Sequence, residues 1–206
     1  VAGAVVVLAP AASAATFVAN DEASYYAAID AAIDNAGPDT IELEANITLL
    51  TDDLPVYDSD DDLTLDGGGF AIINGDDDRA LGGFWANDAG PVDGSFVFTD
   101  VTFSGFTGGW AALWLSTYGT ATLTDVTVKD STGDSGGVFL QMGGDVTITD
   151  STFTGNVNGE SGAVFIDMRH GSGDVTVTGS TFTDNAADDD GGALAVLSDA
   201  PLWIED

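Results

Sequence analysis

Residues 145–156 read Asp-Val-Thr-Ile-Thr-Asp-Ser-Thr-Phe-Thr-Gly-Asn, and residues 174–185 read Asp-Val-Thr-Val-Thr-Gly-Ser-Thr-Phe-Thr-Asp-Asn. Looser copies occupy 95–106 and 120–131. Aligning the copies puts Phe103, Val128, Phe153 and Phe182 in one set and Phe98, Leu123, Ile148 and Val177 in a second, with steps of 25, 25 and 29 residues in both. A fixed period of this size is the mark of a stacked repeat architecture. Within a copy, Val146 and Ile148, or Val175 and Val177, alternate with Thr. That is a strand period carried by strand-forming residues. Gly, Asn and Asp fill the gaps between runs as turn residues. After Pro38 no run of ten or more residues carries the 3.6 spacing a helical repeat would need.

No single copy can bury its apolar face. Stacking copies at roughly 4.8 Å per layer pairs every strand with its equivalents above and below. The expected fold is all-β, a parallel β-helix, with Phe103, Val128, Phe153 and Phe182 forming one internal column. The second half of each copy is Gly-rich: Gly136-Gly137-Val138-Phe139, Ser161-Gly162-Ala163-Val164 and Gly191-Gly192-Ala193-Leu194. Asn156 and Asn185 precede two of these runs. Asn tolerates the left-handed backbone of a sharp corner, and stacked Asn side chains can bond along a column.

Phe153-Thr154-Gly155-Asn156 and Phe182-Thr183-Asp184-Asn185, followed by Ser-Gly-Ala-Val and Gly-Gly-Ala-Leu, resemble the Phe-x-x-Asn and Gly-Gly-Ala-Ile motifs of polymorphic outer membrane protein repeats. More broadly the chain resembles secreted right-handed β-helix proteins of bacteria and archaea, from about Leu63 to the last residue. The copy at 126–131 departs from the motif, with Val128 for Phe and Ser131 for Asn. The resemblance implies a right-handed solenoid exported to the cell surface. It does not carry an activity, since fold and function are separable.

The N-terminal 62 residues differ from the repeats. Residues 1–14 are small and apolar, and Ala12-Ser13-Ala14 fits a small-residue cleavage site. The run is too short to span a bilayer and reads as a partial signal peptide; the alternative is a first strand of the fold. Residues 15–62 are expected to form an N-terminal cap, and 63–206 the repeats, cut short at the C-terminus. Residues 15–20 read as a strand and 21–36 as the one helix, with Ser24 as its N-cap and Tyr25, Ile29, Ala32, Ile33 and Ala36 on one face. Gly37 and Pro38 stop it. A helix placed before the first layer covers an edge that would otherwise invite aggregation. Ser24, Ala28-Ile29, Ala32, Asn35, Gly37 and Asp39-Thr40-Ile41 resemble the capping segment of secreted β-helix proteins, with Tyr25-Tyr26 where that pattern has Arg. Residues 201–206 read as the start of a further Thr-rich half, so the natural chain is expected to continue.

Composition bounds the partners. Of 206 residues, 35 are acidic and three basic (Arg79, Lys129 and Arg169), giving a net charge of −32. Nucleic acid and anionic membranes need Lys and Arg, so both are excluded as partners. There is no Cys, hence no disulfide or thiolate metal site. The acids are mostly Asp, which suits turns. A high-salt source makes such charge tolerable; calcium binding is the sharper alternative.

Candidate metal ligands are Asp76, Asp77 and Asp78, with Asp188, Asp189 and Asp190; another Asp run spans 58–62. Clustered carboxylates suit calcium, yet the spacing matches no EF-hand or Gly-rich calcium repeat, and solvated turns explain them equally. Trp110, Trp114 and Phe139 are candidate carbohydrate-binding residues if they point outward, with Tyr118 beside them, and core if inward. One step of strand register reverses the face. His170 is the single His and belongs to no nucleophile–His–acid constellation. Many β-helix proteins are polysaccharide lyases or hydrolases. Lys129 with Asp125 and Asp130, or Arg169 with Asp167, are the pairs a lyase would use. The functional expectation is an exported, adhesin-like or structural cell-surface segment that meets glycans or other cell-surface molecules. A polysaccharide lyase or glycoside hydrolase is the alternative.

Overall fold

Alternation of apolar residues with Thr leaves each short strand with one face to bury, and the chain solves this by coiling. The computed structural model describes residues 13–51, 54–75, 82–86, 92–107, 111–133, 137–159, 161–169, 171–188, 191–199 and 201–205. Its strands form four parallel sheets of eight, six, five and three strands. The eight-stranded sheet runs Ala15–Ala19, Asp39–Leu43, Leu63–Asp66, Phe96–Thr99, Ala121–Thr124, Val146–Thr149, Val175–Thr178 and Leu202–Glu205, in spatial as in chain order. The six-stranded sheet contains Thr102–Ser104, Thr127–Lys129, Thr152–Thr154 and Thr181–Thr183; the five-stranded sheet contains Leu113–Thr117, Val138–Met142 and Val164–Asp167. Each coil therefore visits the sheets in turn and returns one layer higher, which is the parallel β-solenoid expected from the repeat.

Register confirms the internal columns. Phe103, Val128, Phe153 and Phe182 are consecutive Cα partners, and Ile72 extends the column below them. Leu65, Phe98, Leu123, Ile148 and Val177 form the second. All of these but Phe182, which is half-buried, are buried in one continuous core. Lower in the stack the core is aromatic, with Phe84, Phe96 and Phe98 in edge contacts at 5.3–6.1 Å. Identical packing at each level is what lets one repeat unit stabilise its neighbours.

Two residues turn the corner between the six- and three-stranded sheets, and their roles differ from the sequence reading. The left-handed residue is the one before each Asn: Gly155 (φ 66°) and Asp184 (φ 54°). Asn156 and Asn185 instead form a side-chain ladder. The Asn156 side-chain amide donates to the Val128 carbonyl at 2.9 Å and to Asn185 Oδ1 at 3.1 Å, and its Oδ1 accepts from the Ser131 amide at 3.1 Å. The side chain thus satisfies backbone groups that the corner removes from the sheets.

One helix, Glu22–Asp34, lies against the first three strands. Its N-cap is Asp21, and Ser24 sits three residues on. The Asp21 carboxylate accepts from the Ser24 amide at 2.8 Å while Ser24 Oγ accepts from the Asp21 amide at 3.0 Å. This reciprocal pair moves the cap from Ser24, where the sequence suggested it, to Asp21. Those bonds hold the Asp21 carboxyl below its ordinary value. Tyr25, Ala28, Ile29 and Ala32 are the buried face; Ala36, expected there, lies beyond the helix end and is exposed. Residues 1–12 of the expected signal segment lie outside the described residues. Ser13 donates its amide to the Ala36 carbonyl at 2.8 Å and accepts from the Asn35 side chain at 2.8 Å.

Glu22 ties the helix to the turn after Ile47–Leu49. Its Oε1 accepts from the Leu50 and Thr51 amides at 2.7 and 2.8 Å and from the Thr51 hydroxyl at 3.0 Å. Burial alone would push its carboxyl up, but these bonds together with the Tyr26 hydroxyl hold it below 4.5. Glu22→Ala is expected to destabilise the fold by about 1–3 kcal/mol, since two amides lose their acceptor. The folded pKa is depressed, so the contribution is full above the unfolded value and is lost as pH falls through the lower folded one. Urea titrations of both proteins should therefore converge at acid pH.

Candidate functional site

The inward residues of the five-stranded sheet are Leu113 and Leu115, Val138 and Leu140, and Val164 and Ile166. The intervening residues point away from the core and form two ladders across the coils. The first is aromatic. Trp85 stacks on Trp114 at 4.9 Å, Trp114 on Phe139 at 3.8 Å and Phe139 on Phe165 at 5.4 Å, all within 12° of parallel. In-register pairing places these side chains one above another at the strand spacing, which suits aromatic stacking.

Pointing outward does not leave these rings open. Phe139 is 9% and Phe165 6% exposed, and with Ala111 they make a second small cluster outside the main core. Both faces of Trp114 and of Phe139 are occupied by neighbouring rings. A sugar ring would therefore meet their edges, not their faces. Tyr118 is 54% exposed. Trp110, the third aromatic candidate, lies outside the described residues. The sequence reading missed Trp85 and Phe165, although applying the repeat offset to Trp114 and Phe139 points to both.

The second ladder is polar: Ser116, Gln141 and Asp167 are consecutive Cα partners. Ser116 Oγ lies 3.0 Å from Gln141 Oε1 and donates to it. Asp167 is buried and takes a two-pronged bond from the exposed Arg169, Nε to Oδ1 at 2.9 Å and the terminal nitrogen to Oδ2 at 2.7 Å. That bond raises the Arg169 pKa above its ordinary value. A guanidinium so held keeps its proton and orients a carboxylate. Lys129, the other candidate base, makes no ion pair among the described residues.

The metal candidates do not assemble into a site that can be described. Asp188 is exposed, while Asp76, Asp77, Asp78, Asp189 and Asp190 lie outside the described residues, as do Arg79 and His170. Among the described residues no three His, Cys, Asp or Glu side chains converge to hold a metal ion. The acids instead line the corners. Asp100, Asp125 and Asp150 follow the in-register residues Thr99, Thr124 and Thr149, each with φ near 50°. Asp is one of the few non-glycine residues that accepts this backbone, and its use here stacks like charges one layer apart. The melting temperature should rise steadily with KCl and level off near 1 M, where the screening length falls to about 3 Å. A melting temperature that ignores salt would contradict this.

The outer face of the eight-stranded sheet carries neither aromatic stack nor charge over four strands. Thr99, Thr124, Thr149 and Thr178 form one row, and Val97, Thr122, Thr147 and Thr176 the next. The Thr side chains are half-buried by one another and Val97 is exposed. No described helix is long and apolar enough to cross a membrane. Compared with known protein families, with curated proteins and with solved structures, the chain matches none.

Proposed function

We propose that this chain is an exported β-helix module displayed at a cell surface, with an adhesive or structural role. The observation that carries the reading is the unbroken parallel solenoid, whose outer faces present the same side chains coil after coil. Such a rod resists bending and offers a partner many equivalent contacts along its length. The Phe-x-x-Asn corners, with Phe in the core column and Asn in the side-chain ladder, support kinship with polymorphic outer membrane protein repeats. Glycans and other cell-surface molecules are the partners this role implies. The test is surface labelling of intact native cells with an antibody to the solenoid, with and without protease shaving. Labelling that shaving removes supports display; protein found only in the cytosolic fraction sinks it.

The polar ladder favours a second reading, a polysaccharide lyase or glycoside hydrolase. Ser116, Gln141, Asp167 and Arg169 lie together on the outer side of one sheet. The two-pronged hold on Arg169 casts it as a substrate-carboxylate or carboxylate-orienting group, not as the base. Neutral and acidic glycans incubated with the purified chain should then yield new reducing ends, and Asp167→Asn should abolish them. No cleavage by the unaltered chain ends this reading.

A further inference from the structure

We propose that the outer face of the eight-stranded sheet is an ice-binding surface. The rows Thr99–Thr124–Thr149–Thr178 and Val97–Thr122–Thr147–Thr176 form a two-by-four array on Phe96–Thr99, Ala121–Thr124, Val146–Thr149 and Val175–Thr178. Rows repeat at about 4.8 Å across the strands, and the two positions on one strand stand about 6.6 Å apart. Seven of the eight positions are Thr, and the eighth, Val97, has the same shape without the hydroxyl.

Three properties of the array select its partner. First, the hydroxyls are uncommitted: among the described residues none of these seven Thr side chains hydrogen-bonds to protein. Each keeps a donor and acceptor sites for a ligand. Second, β-branching and packing against in-register neighbours restrict χ1, so hydroxyls and methyls repeat with little rotational freedom. Third, the face is neutral. A chain with 35 acidic residues places none at these eight positions.

Each property excludes other partners. Charged polymers find nothing to pair with. A free small molecule needs a concave site, and a sheet face offers none. A sugar chain is gripped by aromatic faces and directional polar groups, which lie on the five-stranded sheet instead. A neutral, rigid array of donors, acceptors and methyls that repeats in two directions fits a neutral lattice of donors and acceptors with similar repeats. Frozen water is that lattice. The six-stranded sheet supplies an internal contrast: its outward residues Thr102, Ser104, Thr127, Thr152, Thr154, Thr181 and Thr183 are interrupted by Lys129.

The inference is independent of where the protein resides. Its test is partition of the purified chain into a slowly growing ice hemisphere, with inhibition of ice recrystallisation as the second readout. Three variants accompany it, each confirmed as folded by circular dichroism in the same buffer. The unaltered chain is expected to be enriched in the ice. Thr147→Lys, at the array's centre, should cut enrichment by about tenfold or more, the scale of one or two lost contacts. Thr147→Val, which removes only a hydroxyl and preserves shape, should reduce it less. Thr152→Lys, the same change on the neighbouring sheet, should leave it intact. Exclusion of the unaltered chain from ice overturns the proposal. Equal loss in Thr147→Lys and Thr152→Lys, or no loss in either, overturns the assignment to this face.

Discussion

Phe153→Ala lowers the unfolding free energy by about 3–5 kcal/mol, the range for removing a fully buried aromatic ring. Phe153 is 0% exposed, its Cα partners are Val128 below and Phe182 above, and its ring lies 4.9 Å from that of Phe182 at 15°. The cavity cannot close easily, because the strands on both sides are held in register by backbone bonds. Phe182→Ala is the informative comparison. Phe182 occupies the same column but is only half-buried, so its loss should cost less. Urea at constant KCl is the denaturant to use, since guanidinium is itself a salt and would screen the acidic corners as it unfolds the chain. Equal costs at the two positions would mean that the column does not act as a layered core.

Asn156→Ala is expected to cost about 2–5 kcal/mol, although it removes no apolar packing. It leaves the Ser131 amide without its acceptor and the Val128 carbonyl without its donor, both at a buried corner. Each stranded buried group costs about 1–3 kcal/mol. Asn156→Asp separates this account from a packing effect. It retains an acceptor for Ser131 but cannot donate to Val128 or Asn185, and it buries a carboxylate with no cation beside it. Burial raises that carboxyl's folded pKa above the unfolded value of about 4. The folded state then binds more protons, so the variant loses stability relative to the unaltered chain as pH rises from the unfolded to the folded pKa. A cost that does not change with pH would refute the ladder account.

Much of this architecture is legible in one sequence because a solenoid repeats its local chemistry. The offset between Phe153 and Phe182 is also the offset between Ile148 and Val177, so two columns could be read by counting. The capping helix was legible from its apolar face and its Gly-Pro stop. The details that slipped were decided by side-chain hydrogen bonds. Ser24 reads as a cap residue, but Asp21 accepts the same turn's amide and turns Ser24 into its partner. Asn156 reads as a left-handed corner residue, but Gly155 takes that conformation and frees the Asn side chain for the ladder.

The candidate surfaces were legible only in part. Trp114 and Phe139 were visible as aromatic residues beside Gly-rich runs, but inside and outside differ by one step of register, which composition does not encode. Their outward yet covered position depends on Trp85, Phe165 and Ala111, which approach from other coils. The Asp167–Arg169 pair was noticed by proximity in sequence. Its place beside Gln141 and Ser116 came from coils 25 or 26 residues earlier.

Period, strand chemistry and charge belong to the sequence, because each acts at short range or through sums over the whole chain. Stacking, core columns and the exclusion of anionic partners follow from them. Which side chains meet across coils, which hydroxyls stay uncommitted and which rings are covered belong to the tertiary structure. These depend on how loops of unequal length return the chain to register, and a one-residue change there would exchange the buried and exposed faces of a strand.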